Sequence, residues 1–243
     1  AADLLEAKAE NFAQLMALEI GKPVALGRAE VARGVITLRL SAQTLDRPAD
    51  VSPDLSLDAR AGSYRAVVRQ VPVGPVLAIA PYNWPVNLAL HKIGPALAAG
   101  CTVILKGASS AALCTLALAR LLQEAGLPPG ALNTAQGPAS FAERAALDPR
   151  VRKVSFTGSP AVGWKLKGML PKKRVTLELG STSTAVVLPD ADLERVLATL
   201  PGSAFGYAGQ VCISAQNAFI PRSRANEFRD ALIEATRSFP TGN

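Results

Sequence analysis

The chain has 243 residues, 49% of them hydrophobic, with 26 Lys and Arg against 19 Asp and Glu and a formal net charge of +7. That length buries a sizeable core, as one large domain or one domain plus part of another, while no run reaches the roughly 20 apolar residues of a membrane helix and the acidic start AADLLEAKAENF is no signal peptide. Cysteines at 101, 114 and 212 without a CxxC pair, and a single histidine, His91, exclude a disulfide framework, a structural zinc site and any two-histidine metal site, and fit a reducing cytoplasm.

Leu4, Leu5, Ala7, Phe12, Leu15, Met16 and Leu18 recur near helical spacing and predict a helix over 2–20, stopped by Gly21-Lys22-Pro23. A second helix is expected over 24–45, then a polar, proline-containing loop over 46–62. Residues 65–71 alternate like a strand, and the apolar run 76–80 reads as a buried one. From there helices are expected over 86–99, 111–125, 140–146 and 160–169, and strands over 102–105, 131–135, 151–156 and 175–179. Apolar strands separated by helices imply a parallel sheet covered on both faces, a Rossmann-like doubly wound α/β architecture behind N-terminal helices. Past Leu179 the pattern loosens: strand-like 185–188, helical 191–208, strand-like 217–220 and helical 223–238, the beginning of a second α/β domain over 181–243. In doubly wound sheets the ligand lies beyond the carboxyl ends of the strands, which directs attention to the residues after Ala80, Leu105 and Phe156.

The first of these segments is Ala80-Pro81-Tyr82-Asn83-Trp84-Pro85, where prolines restrict the backbone on both sides of Asn83. Its amide is either an oxyanion donor or a turn residue capping the next helix. The second, Leu105-Lys106-Gly107-Ala108-Ser109-Ser110, puts a lysine and small hydroxyl residues at a helix start. The third, Phe156-Thr157-Gly158-Ser159, opens a helix whose N–H groups and dipole suit a phosphate, or is an ordinary strand-to-helix turn, since no GxGxxG is present. Glu178, between Leu177 and Leu179 and ahead of Gly180, is either a carboxylate desolvated into a useful base or a Glu on the exposed face of an edge strand. Cys212, in Gly209-Gln210-Val211-Cys212, is either a nucleophile or a buried inert thiol, with only His91 available as a partner base; His91 itself reads as a surface or packing residue. Lys165, Lys167, Lys172, Lys173 and Arg174 form the densest basic cluster but lack interleaved aromatics, so nucleic acid is not an expected partner.

In order and in company these segments resemble the aldehyde dehydrogenase superfamily across essentially the whole chain. The family's PWNFP-like loop is similar to Pro81-Tyr82-Asn83-Trp84-Pro85, its KPSE-like element to Lys106-Gly107-Ala108-Ser109, and its FTGS element to Phe156-Thr157-Gly158-Ser159. LELGG appears as Leu177-Glu178-Leu179-Gly180-Ser181 and the GQ-x-C motif as Gly209-Gln210-Val211-Cys212; His91 to Gly100 and Ala125 to Asn133 read the same way. The resemblance implies an NAD- or NADP-dependent oxidation of an aldehyde to a carboxylic acid. Cys212 attacks the aldehyde, Asn83 and the Cys212 N–H hold the oxyanion, hydride leaves for the nicotinamide, and water activated by Glu178 hydrolyses the thioester. A base at Glu178 points to the hydrolytic branch rather than to acyl transfer to coenzyme A. It further implies a cofactor domain over 1–180, with contacts from Ala80, Pro81, Tyr82, Lys106, Ser109, Phe156, Thr157, Gly158, Ser159, Leu179 and Gly180. Of these, Lys106 would reach the adenosine ribose and Ser159 the pyrophosphate. No metal is implied, and the family pattern is a homo-oligomer.

Three departures from the pattern matter. Gly107 replaces a proline and Ser109 a glutamate that repels a 2′-phosphate, which tilts the expectation toward NADP. Ser181-Thr182-Ser183 replaces the second glycine and its neighbours, which is expected to crowd the Glu178 loop. The sequence also stops soon after Cys212, without the family's EIFGP-like element, and begins without its N-terminal strands, as a truncated chain would. The alternative expectation is therefore a catalytically silent nucleotide-binding fragment.

Overall fold

The computed structural model describes residues 1–46 and 50–242. The first expected helix is two: α1 (Ala2–Ala7) and α2 (Ala9–Ile20), separated at Lys8, whose φ of −100° and ψ of 16° leave the helical region. α2 closes on Gly21 in the left-handed conformation (φ 64°), whose N–H reaches the carbonyl of Ala17, a C-terminal cap that glycine forms without strain. α3 (Val24–Gln43) follows Pro23 and tightens into a single 3-10 turn over 44–46.

The expected loop over 46–62 is only partly so. Residues 47–49 lie outside the described residues, while β1 (Asp50–Val51) pairs antiparallel with β2 (Val68–Arg69). The strand expected over 65–71 shrinks to those two residues because nothing covers it: Val67, Val68 and Val71 are all exposed. Alternation alone does not make a strand without a face to bury.

The central sheet contains β3 (Val76–Ile79), β4 (Val103–Lys106), β5 (Leu132–Thr134), β6 (Lys153–Thr157) and β7 (Arg174–Glu178), all parallel, in the order β5-β4-β3-β6-β7. α4 (Asn87–Ala98), α5 (Ala112–Glu124), α6 (Ala139–Leu147) and α7 (Pro160–Met169) are the crossovers. The two sheet faces carry separate cores, as the two-residue side-chain period requires. Ala78 and Ala80 join Phe12, Met16, Val31, Leu90, Ile93 and Leu118 on the side of the N-terminal helices, whereas Leu77 and Ile79 join Ala142, Val154, Phe156 and Leu166 beneath α6 and α7.

The remaining residues form a smaller unit. β8 (Ser183–Val186) pairs parallel with β9 (Ala215–Phe219), and α8 (Leu193–Phe205) and α9 (Ala225–Arg237) enclose a core of Val187, Leu200 and Phe228. The helix expected to reach 208 stops at Phe205, because Tyr207 and Ala208 adopt φ of 53° and Gly209 φ of 72°, three successive left-handed residues that no right-handed helix accommodates. Among the described residues no helix is long and apolar enough to cross a membrane.

Candidate active site

Strand register brings the segments singled out from the sequence to one edge. Ile79 lies opposite both Lys106 and Phe156, and Thr157 opposite Glu178. Residues 80–82, 106–109, 157–159 and 179–180 therefore leave the sheet side by side. β3 has β4 on one flank and β6 on the other, so the crevice where the strand order reverses opens beside Ala80 and Pro81.

Helix N-termini along this edge are not equivalent. Glu30 Oε1 accepts from the N–H groups of Val86 (2.8 Å) and Asn87 (2.9 Å) at the start of α4, and Glu19 accepts from Leu113 (2.6 Å) and Cys114 (2.9 Å) at the start of α5. Both ends already hold a carboxylate, which would repel a phosphate. The helix start after Ser109 and Ser110 is thus unavailable to an anion, and Ser109 is instead exposed in a 3-10 turn. α7 differs: Ser159 is its N-cap and makes no side-chain capping bond, and Pro160 occupies the first turn without an N–H. Its free first-turn donors adjoin the crevice. Gly158 is required there, since a Cβ would stand 2.5 Å from the ring of Phe156. Phe156 and Thr157 are buried. Lys106 folds back, donating to the carbonyl of Gly107 (3.0 Å), and Gly107 has no room for any Cβ against Thr115 Oγ1, which accounts for the absence of a proline there.

Lys92, beside the exposed His91, is buried, and its Nζ donates to Thr157 Oγ1 (2.7 Å) and Ser155 Oγ (3.4 Å). Burial pushes its amine down to about 8, with the charge of Glu178 pulling the other way. Between pH 8 and 10.5 the unfolded chain holds a proton that the folded chain has released, so this group makes stability rise with pH across that window. We expect the stability of Lys92→Met relative to the parent, measured by urea unfolding near pH 7 and near pH 10.5, to fall by about 3 kcal/mol over that interval. A difference independent of pH would show that Lys92 keeps its proton in the fold.

Two loops bond to the segment that carries Cys212. Asn83 Nδ2 donates to the Gln210 carbonyl (2.7 Å), and the Tyr82 hydroxyl donates to Gln210 Oε1 (2.7 Å). The Gln210 bond uses one of the two amide hydrogens of Asn83. The helix-capping alternative for Asn83 is not realised, because Glu30 takes the α4 N–H groups. From the other side Ser181 Oγ donates to the Cys212 carbonyl (3.0 Å), and Gln216 Nε2 donates to the Ser181 carbonyl (3.1 Å). Ser181 thus joins the two loops rather than crowding them. Leu179 packs over Gly163, fixing residues 179–180 against α7. Cys212 is exposed, contrary to the inert-core reading, whereas Cys101 and Cys114 are buried. Glu178 ends the edge strand β7 on its exposed face.

Sequence reading missed Lys22, Glu30 and Glu19. Lys22 Nζ donates to Glu30 Oε2 (2.6 Å) and to the Asn83 carbonyl (2.8 Å), with both side chains fully buried. Burial pushes the ammonium down and the carboxyl up, each opposed by its partner's charge. A signal was present: Glu30 lies among Gly27, Val31 and Gly34, the buried face of α3.

The whole chain, residues 1–243, matches the family model for the aldehyde dehydrogenase family. It is 40% identical over 244 residues to a 3-sulfolactaldehyde dehydrogenase of Priestia aryabhattai, covering 100% of this chain and 51% of that protein. It is 35% identical to an NADP(+) succinate-semialdehyde dehydrogenase of Escherichia coli, covering 96% and 48%. Among solved structures, an NADP-dependent glyceraldehyde-3-phosphate dehydrogenase from Bacillus halodurans complexed with NADP superposes with a TM-score of 0.95 at 32% identity, covering 100% of this chain and 51% of that one. The chain spans about half the length of these relatives. On the match along its full extent, it belongs to the aldehyde dehydrogenase family.

Proposed function

We propose that this chain carries the cofactor-binding and nucleophile-bearing parts of an NAD(P)-dependent oxidation of a small aldehyde to a carboxylic acid. Residues 1–180 serve as the cofactor domain and 181–243 as the first part of the catalytic domain. The observation that carries the reading is that two loops bond to the backbone of the segment bearing an exposed thiol: Asn83 reaches the Gln210 carbonyl and Ser181 the Cys212 carbonyl. In this reading the Cys212 thiolate adds to the aldehyde carbon. The second amide hydrogen of Asn83 and the Cys212 N–H then stabilise the oxygen. The nicotinamide, when bound, accepts the hydride. Glu178 takes a proton from the water that cleaves the resulting thioester at Cys212.

The α7 N-terminus and Ser159 suit the pyrophosphate, Lys106 the adenosine ribose, and Ala80 to Tyr82, Thr157 and Leu179 to Gly180 line the approach. Exposed Ser109, lacking a carboxylate, favours NADP over NAD. Three free thiols fit a reducing cytoplasm. The exposure of Glu178 favours one competing reading, a nucleotide-binding chain without turnover.

Titration with NAD and NADP, followed by the fluorescence of Trp84 and Trp164, separates these readings when an aldehyde such as succinate semialdehyde is added and reduced cofactor is monitored. Binding with turnover is the expected result. Binding alone favours the silent reading, and no binding refutes both. Ser109→Glu is expected to weaken NADP binding about tenfold through its added charge and to spare NAD.

A further inference from the structure

We propose that Lys22 is a positioning residue for the nucleophile loop, coupling the N-terminal helices to residues 207–212. The inference rests on the reading of Asn83 and Cys212 given above. The Lys22 ammonium has no exposure and contacts three separate elements. It is paired with Glu30 on α3, it donates to the Asn83 carbonyl, and it lies 3.5 Å from the centre of the Trp84 ring and 5.0 Å from that of Tyr207. Asn83 is consequently held at both ends: its carbonyl by Lys22 and its side-chain amide by the Gln210 carbonyl.

Tyr207 extends the argument to the other loop. It and Ala208 both have φ of 53°, a left-handed conformation that is strained for an L-residue and persists only where the surroundings enforce it. The Tyr207 ring is buried, yet its hydroxyl has no hydrogen-bond partner among the described residues, so its own polar atom does not anchor the turn. Gln210 bonds back to the Tyr207 carbonyl through its N–H (3.0 Å) and its Nε2 (3.3 Å), which closes the turn on itself, and the face of the ring toward the buried ammonium is the attraction that ties the turn to the N-terminal helices, desolvated cation–π contacts being the stronger ones. Gly209 completes this turn, and Gln210, Val211 and Cys212 follow directly. Stability alone does not call for a charge at this site, because a buried ion pair contributes little more than an apolar pair of similar volume. What a lysine adds over an apolar side chain is a simultaneous hold on Glu30, the Asn83 backbone and two aromatic rings.

The test is hydrogen exchange by mass spectrometry together with the rate of iodoacetamide labelling at Cys212, on the full chain. Lys22→Met combined with Glu30→Gln removes the cation without stranding a charge and keeps an oxygen for the α4 N–H groups. We expect this double variant to lose exchange protection only over residues 83–88 and 207–214, while Cys212, already exposed, labels within about twofold of the parent. Lys22→Arg, which retains charge and donors, should stay within about twofold of the parent. Tyr207→Leu, which leaves the ion pair intact, should loosen 207–214 alone. Parent-like exchange in the double variant, or in Tyr207→Leu should the double variant not fold, would overturn the proposal. So would a loss of protection spread over α2 to α5, the mark of a packing role only. These readouts do not require turnover, so they fail or succeed separately from the dehydrogenase assay.

Discussion

Cys212→Ala is expected to abolish aldehyde-dependent reduction of NAD(P), lowering the initial rate at least about a thousandfold, because removing a nucleophile removes the covalent route itself. No other thiol can take over. Cys101 and Cys114 are buried, and burial together with Glu19 pushes the Cys114 thiol well above its usual range, keeping it protonated. Nor can His91 rescue the reaction, since it projects from the exposed face of α4. Glu178→Gln should separate the two halves of the chemistry: the first equivalent of reduced cofactor still forms, and steady-state turnover falls about a hundredfold or more as the thioester persists. Stopped-flow absorbance of reduced cofactor measures both. A Cys212→Ala chain that reduces NADP at the parent rate would rule out the covalent route.

Glu30→Ala is expected to be the most damaging substitution for the fold among the residues considered, costing about 3–5 kcal/mol. It leaves the Lys22 ammonium buried without its counter-ion at a site with no exposure, and at the same time strips the cap from the Val86 and Asn87 N–H groups of α4. Urea unfolding of parent and variant gives the difference. Glu30→Gln should cost less, since its amide oxygen still caps α4. Equal stability of parent and Glu30→Ala would mean that water reaches Lys22.

How much of this was legible in the sequence depended on whether a signal was local. The crossovers were, since apolar runs such as 76–79 and 103–106 separated by helical periods specify a parallel sheet, and Pro160 behind Ser159 marks the start of α7. β2 was not, because the alternation of 65–71 carries no information about whether a face will cover it. The left-handed turn at Tyr207 and Ala208 was invisible for a similar reason: neither residue favours that conformation, and tertiary contacts impose it. At the candidate site, the motif order put Asn83, Glu178 and Cys212 forward, and the fold brings the Asn83 and Cys212 loops within hydrogen-bonding reach. The supports beneath them were unreadable as such. Lys22 reads as part of a helix stop, and only its burial opposite Glu30, 61 residues before it meets the Asn83 carbonyl, shows another use. Ser181 stands where the motif has a glycine and so reads as an obstacle, yet its hydroxyl reaches the Cys212 carbonyl.

The central claim, that an aldehyde is oxidised while bonded to Cys212, is tested most directly by incubating the Glu178→Gln chain with NADP and succinate semialdehyde and mapping acylated peptides by mass spectrometry. The account predicts a succinyl group on Cys212, in a yield matching the reduced cofactor formed. Reduced cofactor without an adduct at Cys212, or an adduct confined to Cys101 or Cys114, would contradict it.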